Sequence, residues 1–314
     1  MFLYLTSNPM IFIAIYVLIS DILPVANSNR PLQSPRIPTI VTTQALNEYI
    51  NKYPTPSRKV RIIETSFNFN QANNYPLEYT SGHIPQAVYF DLDKCVTSTA
   101  EIPRNLPELK CFTDYIQSLG VWPETHVIVY TQRSIAQAFR AWWTFRLFGH
   151  KKVSVLDGGY QKWIADGYNT TANIPRVERS NFKTELDLSL IRTYEDMVAN
   201  VASKNEQPID ARSPSSVSGN RRGSGIIPGA KIVYFATLIN GDGTMKNKTE
   251  IKTIFEDRGV NLTSPMVTYC NSGMTATIVA GAAHILGLDI PVYYGSWNEW
   301  RQRAPDHLIQ HVTV

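Results

Sequence analysis

Residues 267–276 read Val-Thr-Tyr-Cys-Asn-Ser-Gly-Met-Thr-Ala and carry the strongest local signal in the chain. The apolar run before Cys270 predicts a buried strand, the small and polar residues after it predict a loop, and an apolar helical pattern begins at Ala276. A thiol on a strand-to-helix loop faces backbone N–H groups and the positive end of a helix, and both stabilise a thiolate. The stretch therefore indicates a nucleophile, although a free cysteine is also often a small core residue.

The chain contains an internal repeat. Three pairs of segments match in the same order, with offsets of 143, 139 and 137 residues: 81–87 with 224–230, 127–130 with 266–269, and 157–163 with 294–300. Three collinear matches predict two homologous domains. The position equivalent to Cys270 in the first copy is Thr131, so only one copy carries the thiol.

Strands and helices alternate within each copy. In the first, apolar runs at 127–130 and 153–156 predict strands, and the stretches 136–148 and 160–166 predict helices. The fold class is therefore α/β, with a mostly parallel sheet flanked by helices in each domain. Such sheets bind ligands at the carboxyl ends of their strands, which is where Cys270 is expected.

The length and composition of the chain are compatible with two α/β domains. The chain has 314 residues, 43% hydrophobic and 18% charged, which is enough for two globular domains. We predict a first domain at 34–172 without a catalytic cysteine, a linker at 173–185, and a second domain at 186–314 with the catalytic cysteine. The net charge of +4 comes without a long Lys/Arg run, so no nucleic-acid partner is expected.

The N-terminus predicts entry into the secretory pathway. Residues 10–19 are ten apolar residues in a row, and the stretch 1–28 fits a signal peptide. An uncleaved signal anchor is the alternative and would give the only membrane contact, whereas a mitochondrial presequence is disfavoured because the first basic residue is Arg30. Sequons predict a secreted glycoprotein modified at Asn169, Asn247 and Asn261.

Three cysteines are too few for a disulfide scaffold. Cys95 and Cys111 could pair in an oxidising compartment and leave Cys270 free, or all three could be reduced. No His/Cys cluster has the spacing of metal ligands, and no glycine-rich nucleotide loop occurs. We therefore expect neither a metal nor a cofactor.

Several short motifs resemble one family: 82–85, 140–143, 148–150 and 156–159 in the first half, and 209–212, 227–230 and the Cys270 loop in the second. Over nearly all of its length after the leader, the chain resembles the tandem rhodanese-domain sulfurtransferases of the 3-mercaptopyruvate and thiosulfate types. The resemblance implies two rhodanese-like domains. It also implies that Cys270 takes a sulfane sulfur from a small anionic donor as a persulfide. The acceptor would be cyanide or a thiol, either a small thiol or a thioredoxin-like protein.

The resemblance also assigns roles around the cysteine. The residues that follow it would cradle the anionic sulfur: Asn271, Ser272, Gly273, Met274 and Thr275. The neutral Asn271 and Ser272 resemble the mercaptopyruvate type, in which Ser272 would polarise the donor and Asp93 would belong to the same proton relay. Arg221 or Arg222 would bind the donor.

Three positions depart from the family pattern. Arg104 stands where the family has the relay histidine, Ser216 where it has a substrate-binding arginine, and Ile226 where it has a histidine. Arginine does not shuttle protons at neutral pH. The sequence therefore leaves open an alternative, a non-catalytic secreted rhodanese-like binding protein with a degraded substrate site.

Overall fold

The computed structural model describes residues 37–67, 75–219 and 224–312. The predicted leader at 1–28 and the pair Arg221 and Arg222 lie outside these ranges. Within them, no helix combines the length and apolar character needed to cross a membrane.

The first sheet has five parallel strands in the spatial order β1-β5-β4-β2-β3. The strands are β1 Ile40–Val41, β2 Val60–Glu64, β3 Val88–Tyr89, β4 His126–Tyr130 and β5 Val153–Leu156. The helices around it are α1 Thr43–Lys52, α2 Leu77–Ser81, α3 Leu109–Ser118, α4 Ile135–Leu147 and α5 Gly159–Ala165. Both helices predicted here are present and begin one residue earlier than expected.

The second sheet repeats this topology in the order β6-β10-β9-β7-β8, again with parallel pairs. Its strands are β6 Ile191–Arg192, β7 Gln207–Asp210, β8 Lys231–Ile232, β9 Met266–Tyr269 and β10 Val292–Tyr293. Its helices are α6 Tyr194–Ser203, α7 Pro214–Val217, α8 Lys248–Asp257, α9 Ala276–Leu286 and α10 Ser296–Arg303. The predicted α/β class with two parallel sheets is confirmed.

The repeat extends to individual hydrogen bonds. The Tyr130 hydroxyl accepts from the Ile84 backbone N–H at 3.1 Å, and the Tyr269 hydroxyl accepts from the Ile227 N–H at the same distance. Both tyrosines are fully buried at the ends of the central strands β4 and β9. Equivalent side chains thus anchor equivalent turns in the two copies.

The two sheets are joined through the packing of α4 against α9. Twelve of the thirteen residues of α4 are buried, as expected for a helix between two layers. On α9, a Cβ built at Gly281 would lie 2.2 Å from the ring of Phe139 on α4, so the missing side chain permits the close approach. Trp142 and Trp143 are buried in the core.

Cys95 and Cys111 form a disulfide with Cα atoms 5.6 Å apart, and Cys270 is the free cysteine of the described residues. Of the two alternatives left open by the sequence, the structure has the paired one. Residues 166–187 form only an isolated bridge, between Thr171 and His83, and the linker predicted at 173–185 falls in this segment.

Candidate active site

Cys270 is the first residue after the central strand β9 and is 2% exposed. Its backbone N–H donates to Ser296 Oγ at 3.1 Å, and its carbonyl accepts from the Trp297 N–H at 2.9 Å. These two bonds tie the start of the loop to the start of α10. The thiol therefore lies at the carboxyl edge of the sheet, as the sequence predicts.

The loop at 271–275 presents unpaired backbone donors. No acceptor for the N–H groups of residues 271–275 occurs within the described parts of the chain. Gly273 has φ +74°, and a Cβ there would lie 2.7 Å from the carbonyl oxygen of Tyr294. Only glycine fits this conformation without strain. Asn271 is exposed, whereas Ser272, Met274 and Thr275 are half-buried.

Arg140 of α4 reaches this loop from the first domain. The side chain is buried, and its Nη1 donates to the carbonyl oxygen of Gly273 at 3.0 Å. Its Nη2 donates to the carbonyls of Arg104 at 2.9 Å and Asn105 at 3.2 Å. Burial lowers the pKa of Arg140 to about 10, against an opposing attraction to the charge of Cys270, so the guanidinium stays protonated at neutral pH. The sequence did not assign Arg140 to the site.

Asp93, predicted as a relay residue, is held by an ion pair. Nη1 of Arg104 lies 2.7 Å from both carboxylate oxygens of Asp93. The guanidinium also stacks over the ring of Phe67 at 4.3 Å. The position that the family uses for a histidine thus supplies a permanent cation to Asp93.

The other candidate positions in the second domain have structural contacts. Arg212 forms a buried ion pair with Asp210 and also donates to a backbone carbonyl. Ser216 is exposed, and its hydroxyl donates to the Ser213 carbonyl at 2.8 Å. Ile226 is buried in a bridge to the C-terminal segment. None of these residues resembles a donor clamp in the described structure.

The predicted glycosylation sites are at the surface. Asn169, Asn247 and Asn261 are all exposed. The side-chain oxygen of Asn247 also caps α8 by accepting from the Glu250 N–H at 3.0 Å.

The equivalent site in the first domain has the same backbone hydrogen bond but has Thr131 in place of the cysteine. The Thr131 carbonyl accepts from the Tyr160 N–H at 3.0 Å, as the Cys270 carbonyl does from Trp297. The Thr131 hydroxyl is used internally, since it donates to the Ser134 carbonyl at 3.0 Å. A cavity of about 510 Å³ lies here, and Thr131 is in its lining, but no thiol is. This cavity therefore lies beside Thr131, and Cys270 is not in its lining.

The first domain has also lost the buried ion pair. Glu64 stands where the second domain has Asp210, and Ser66 stands where it has Arg212. Glu64 Oε1 accepts from the Ser66 N–H at 2.9 Å, whereas Oε2 has no partner within the described residues. Burial is the main cause that raises the pKa of Glu64 to about 7.

A smaller cavity of about 210 Å³ lies between the Cys270 loop and the first domain. Met274 is the loop residue in its lining, and the others come from the first domain: Ser66, Phe67, Glu78, Arg133, Ser134, Ala136 and Gln137. Residues of both copies thus surround the space beside the loop.

Known proteins similar to this chain are rhodanese-domain proteins and sulfurtransferases. A family model described as a rhodanese-like domain matches residues 59–166 and 193–303. The chain is 36% identical over 256 residues to a thiosulfate sulfurtransferase of Cricetulus griseus, covering 78% of this chain and 86% of the relative. It is also 36% identical over 281 residues to a 3-mercaptopyruvate sulfurtransferase of Mus musculus, covering 86% and 94%.

A solved structure has the same architecture. The crystal structure of SseA from Escherichia coli, described as a 3-mercaptopyruvate sulfotransferase with the rhodanese fold, superposes with a TM-score of 0.71. The two sequences are 31% identical, and the match covers 83% of this chain and 99% of the other.

Proposed function

The chain belongs to the rhodanese family and is an enzyme of the sulfurtransferase type, and on this premise we propose that Cys270 is the nucleophile that carries the transferred sulfur as a persulfide. The observation that carries the proposal is a free, buried thiol at the end of β9 beside a loop of unpaired backbone N–H groups. Backbone N–H groups without an acceptor can hydrogen-bond an anionic sulfur and so stabilise it.

The first half of the cycle loads the cysteine. The Cys270 thiolate attacks the sulfur that is to be transferred, which is the outer sulfur of thiosulfate or the thiol sulfur of 3-mercaptopyruvate. A new sulfur–sulfur bond forms. The bond between that sulfur and the rest of the donor breaks, and its electron pair leaves with the remainder. Sulfite leaves from thiosulfate, and the enolate of pyruvate, which then takes a proton, leaves from 3-mercaptopyruvate.

The second half returns the cysteine to its starting state. A thiolate or cyanide attacks the outer sulfur of the persulfide, and the bond to Cys270 breaks. The products are the acceptor persulfide or thiocyanate and the free Cys270 thiolate. No external oxidant or reductant is needed. The outer sulfur of thiosulfate is already a sulfane sulfur, and with 3-mercaptopyruvate the two electrons stay on the carbon that becomes the methyl group of pyruvate.

Two features bear on the donor in opposite directions. Asn271 and Ser272 are neutral, and the loop resembles the mercaptopyruvate type. Against this, the Asp93–Arg104 ion pair replaces a proton relay, which favours a leaving group that needs no proton, such as sulfite. The donor class we propose is therefore a small anionic sulfur donor, which includes both thiosulfate and 3-mercaptopyruvate.

A donor panel tests the proposal. The protein, with its disulfide intact, would be incubated with thiosulfate or 3-mercaptopyruvate and the Cys270 peptide analysed by mass spectrometry. We expect a gain of one sulfur atom that disappears in Cys270→Ser, while the disulfide peptides stay unchanged. If folded protein gained no sulfur from either donor, the binding-protein alternative would replace the catalytic proposal.

We also propose that the protein enters the secretory pathway. The Cys95–Cys111 disulfide and the exposed sequons support this, because structural disulfides persist in oxidising compartments. Expression in a secretory host followed by N-glycosidase digestion should reduce the apparent mass. A protein retained in the cytosol without a mass shift would contradict it.

A further inference from the structure

Arg140 is a buried cation without a charged partner. Its hydrogen bonds to the Cys270 loop and to the 104–105 segment all go to backbone carbonyl groups. Among the described residues no carboxylate forms an ion pair with it, in contrast to Arg104 and Arg212, each of which has an aspartate partner. A buried unpaired charge destabilises a fold, so its presence beside a reactive loop indicates a functional role.

The Cys270 loop lacks a positive charge of its own. Residues 270–276 contain no lysine or arginine. The groups whose negative charge acts on Arg140 are Cys270 and Asp93, and Arg104 already neutralises Asp93. When Cys270 is ionised, as the nucleophilic attack requires, its charge is the counter-charge that remains for the guanidinium, and the two groups come from different domains.

The loop and the guanidinium also constrain each other sterically. A Cβ at Gly273 would lie 3.1 Å from Nη1 of Arg140, so the absence of a side chain there is what allows this cation to approach the loop backbone. The other end of the guanidinium bonds the 104–105 segment. The planar, forked geometry of arginine suits such simultaneous contacts on two sides.

We propose that Arg140 is a positioning residue that the first domain contributes to the Cys270 site, where it fixes the loop through the Gly273 carbonyl and supplies the positive charge that draws an anionic donor to the thiol. The donor part rests on the proposed function. The charge itself acts on any anion that approaches Cys270, whether or not sulfur is transferred.

Alkylation of Cys270 measures that charge directly. In the intact protein with its disulfide kept, the rate of Cys270 alkylation is measured with anionic iodoacetate and with neutral iodoacetamide. The first rate divided by the second is the alkylation ratio. We expect Arg140→Gln to lower this ratio about tenfold, because the loss of a buried unit charge beside the Cys270 loop weakens the attraction of an anionic reagent by that order. Arg140→Lys should keep the ratio within about twofold of the wild-type value, because the positive charge remains. It should lower kcat for sulfur transfer about tenfold, because lysine lacks the planar guanidinium that bonds the loop and the 104–105 segment together.

Arg146→Gln is the matched control. Arg146 lies on the same helix, stacks over Trp142 as Arg140 stacks over Trp143, and pairs with Asp289. We expect it to leave the alkylation ratio at the wild-type value. An equal fall in this control, or an unchanged ratio in folded Arg140→Gln, would overturn the proposal.

If Arg140→Gln does not fold, Arg140→Lys tests the proposal instead. A lysine variant that loses the ratio refutes the role of the charge, and one with wild-type kcat refutes the role of the fork. The alkylation ratio needs no sulfur donor, so a failure of sulfur transfer in the wild-type protein would be distinguished from a failure of this inference.

Discussion

Glu64 offers a prediction in which the pH dependence of stability follows from one buried side chain. Oε2 of Glu64 has no hydrogen-bond partner within the described residues, and burial is the main cause that raises its pKa from the ordinary 4.5 to about 7. Between these two values the folded chain binds a proton that the unfolded chain has released. The free energy of unfolding therefore falls as pH rises from 4.5 to 7 and stays low above that range.

The size of the change in the free energy of unfolding follows from the difference between the folded and unfolded pKa values of Glu64. At about 1.4 kcal/mol per pKa unit, the raised pKa of Glu64 lowers the free energy of unfolding by about 3 kcal/mol at pH 8 and by about 1 kcal/mol at pH 5, relative to low pH. Glu64→Gln keeps the shape and removes the titration. We therefore expect the variant to be more stable than the wild type by about 3 kcal/mol at pH 8 and by about 1 kcal/mol at pH 5.

Urea unfolding at pH 5, 6, 7 and 8 under non-reducing conditions would measure the difference. Asp210→Asn is the matched control, because it alters the equivalent carboxylate in the second domain but leaves Arg212 buried without its partner. That control should lose about 3–5 kcal/mol throughout this pH range. Parallel pH curves for Glu64→Gln and the wild type would refute the reasoning.

Three further variants test the loop, the disulfide and the helix interface. Gly273→Ala should lower kcat at least about tenfold in a sulfur-transfer assay, because its Cβ would meet the Tyr294 carbonyl and displace the loop, and unchanged kcat would contradict this. Cys111→Ala opens a loop of sequence separation 16 and should lower the free energy of unfolding by about 3 kcal/mol, whereas dithiothreitol should destabilise only the wild type. Gly281→Ala crowds Phe139 across the α4–α9 contact and should cost about 1–3 kcal/mol in thermal unfolding, and a raised melting temperature would argue against that packing.

The sequence predicted the position of Cys270 because every signal for it is local. An apolar run, a loop of small residues and a helical pattern follow one another within ten residues, and the repeat independently identified Thr131 as the equivalent position. Both lie where expected, directly after β9 and β4. Parallel sheets follow from the same alternation of strands and helices.

Arg140 was missed as a site residue because its contact with Gly273 spans 133 positions in sequence. No local pattern encodes a bond from a helix of one domain to a loop of the other. One signal was nevertheless present, since an arginine interrupts the apolar residues between Phe139 and Trp143. A charge on a buried helix needs polar partners, and those of Arg140 lie at the contact between the two domains.

The pairing of Arg104 with Asp93 shows a different limit. The resemblance implied a relay through Asp93, and the loss of the histidine was visible at position 104. What the replacement does depends on side-chain geometry, which brings both carboxylate oxygens within 2.7 Å of one nitrogen. Opposite charge at these positions is compatible with an ion pair, but also with two separate solvated side chains.

Glu64 and Arg140 are both buried without an ion pair to a described residue, and the physical reasons differ between them. Glu64 can become neutral, because its pKa of about 7 lets it take a proton near physiological pH, and the fold then tolerates it without a cationic partner. Arg140 cannot use this route, because its pKa of about 10 keeps the charge at neutral pH. Thr131 carries no thiol that could ionise, whereas Cys270, when it is a thiolate, adds a negative charge that acts on Arg140. Helix α4 of the first domain thereby places a cation against the Cys270 loop, which contains no lysine or arginine of its own.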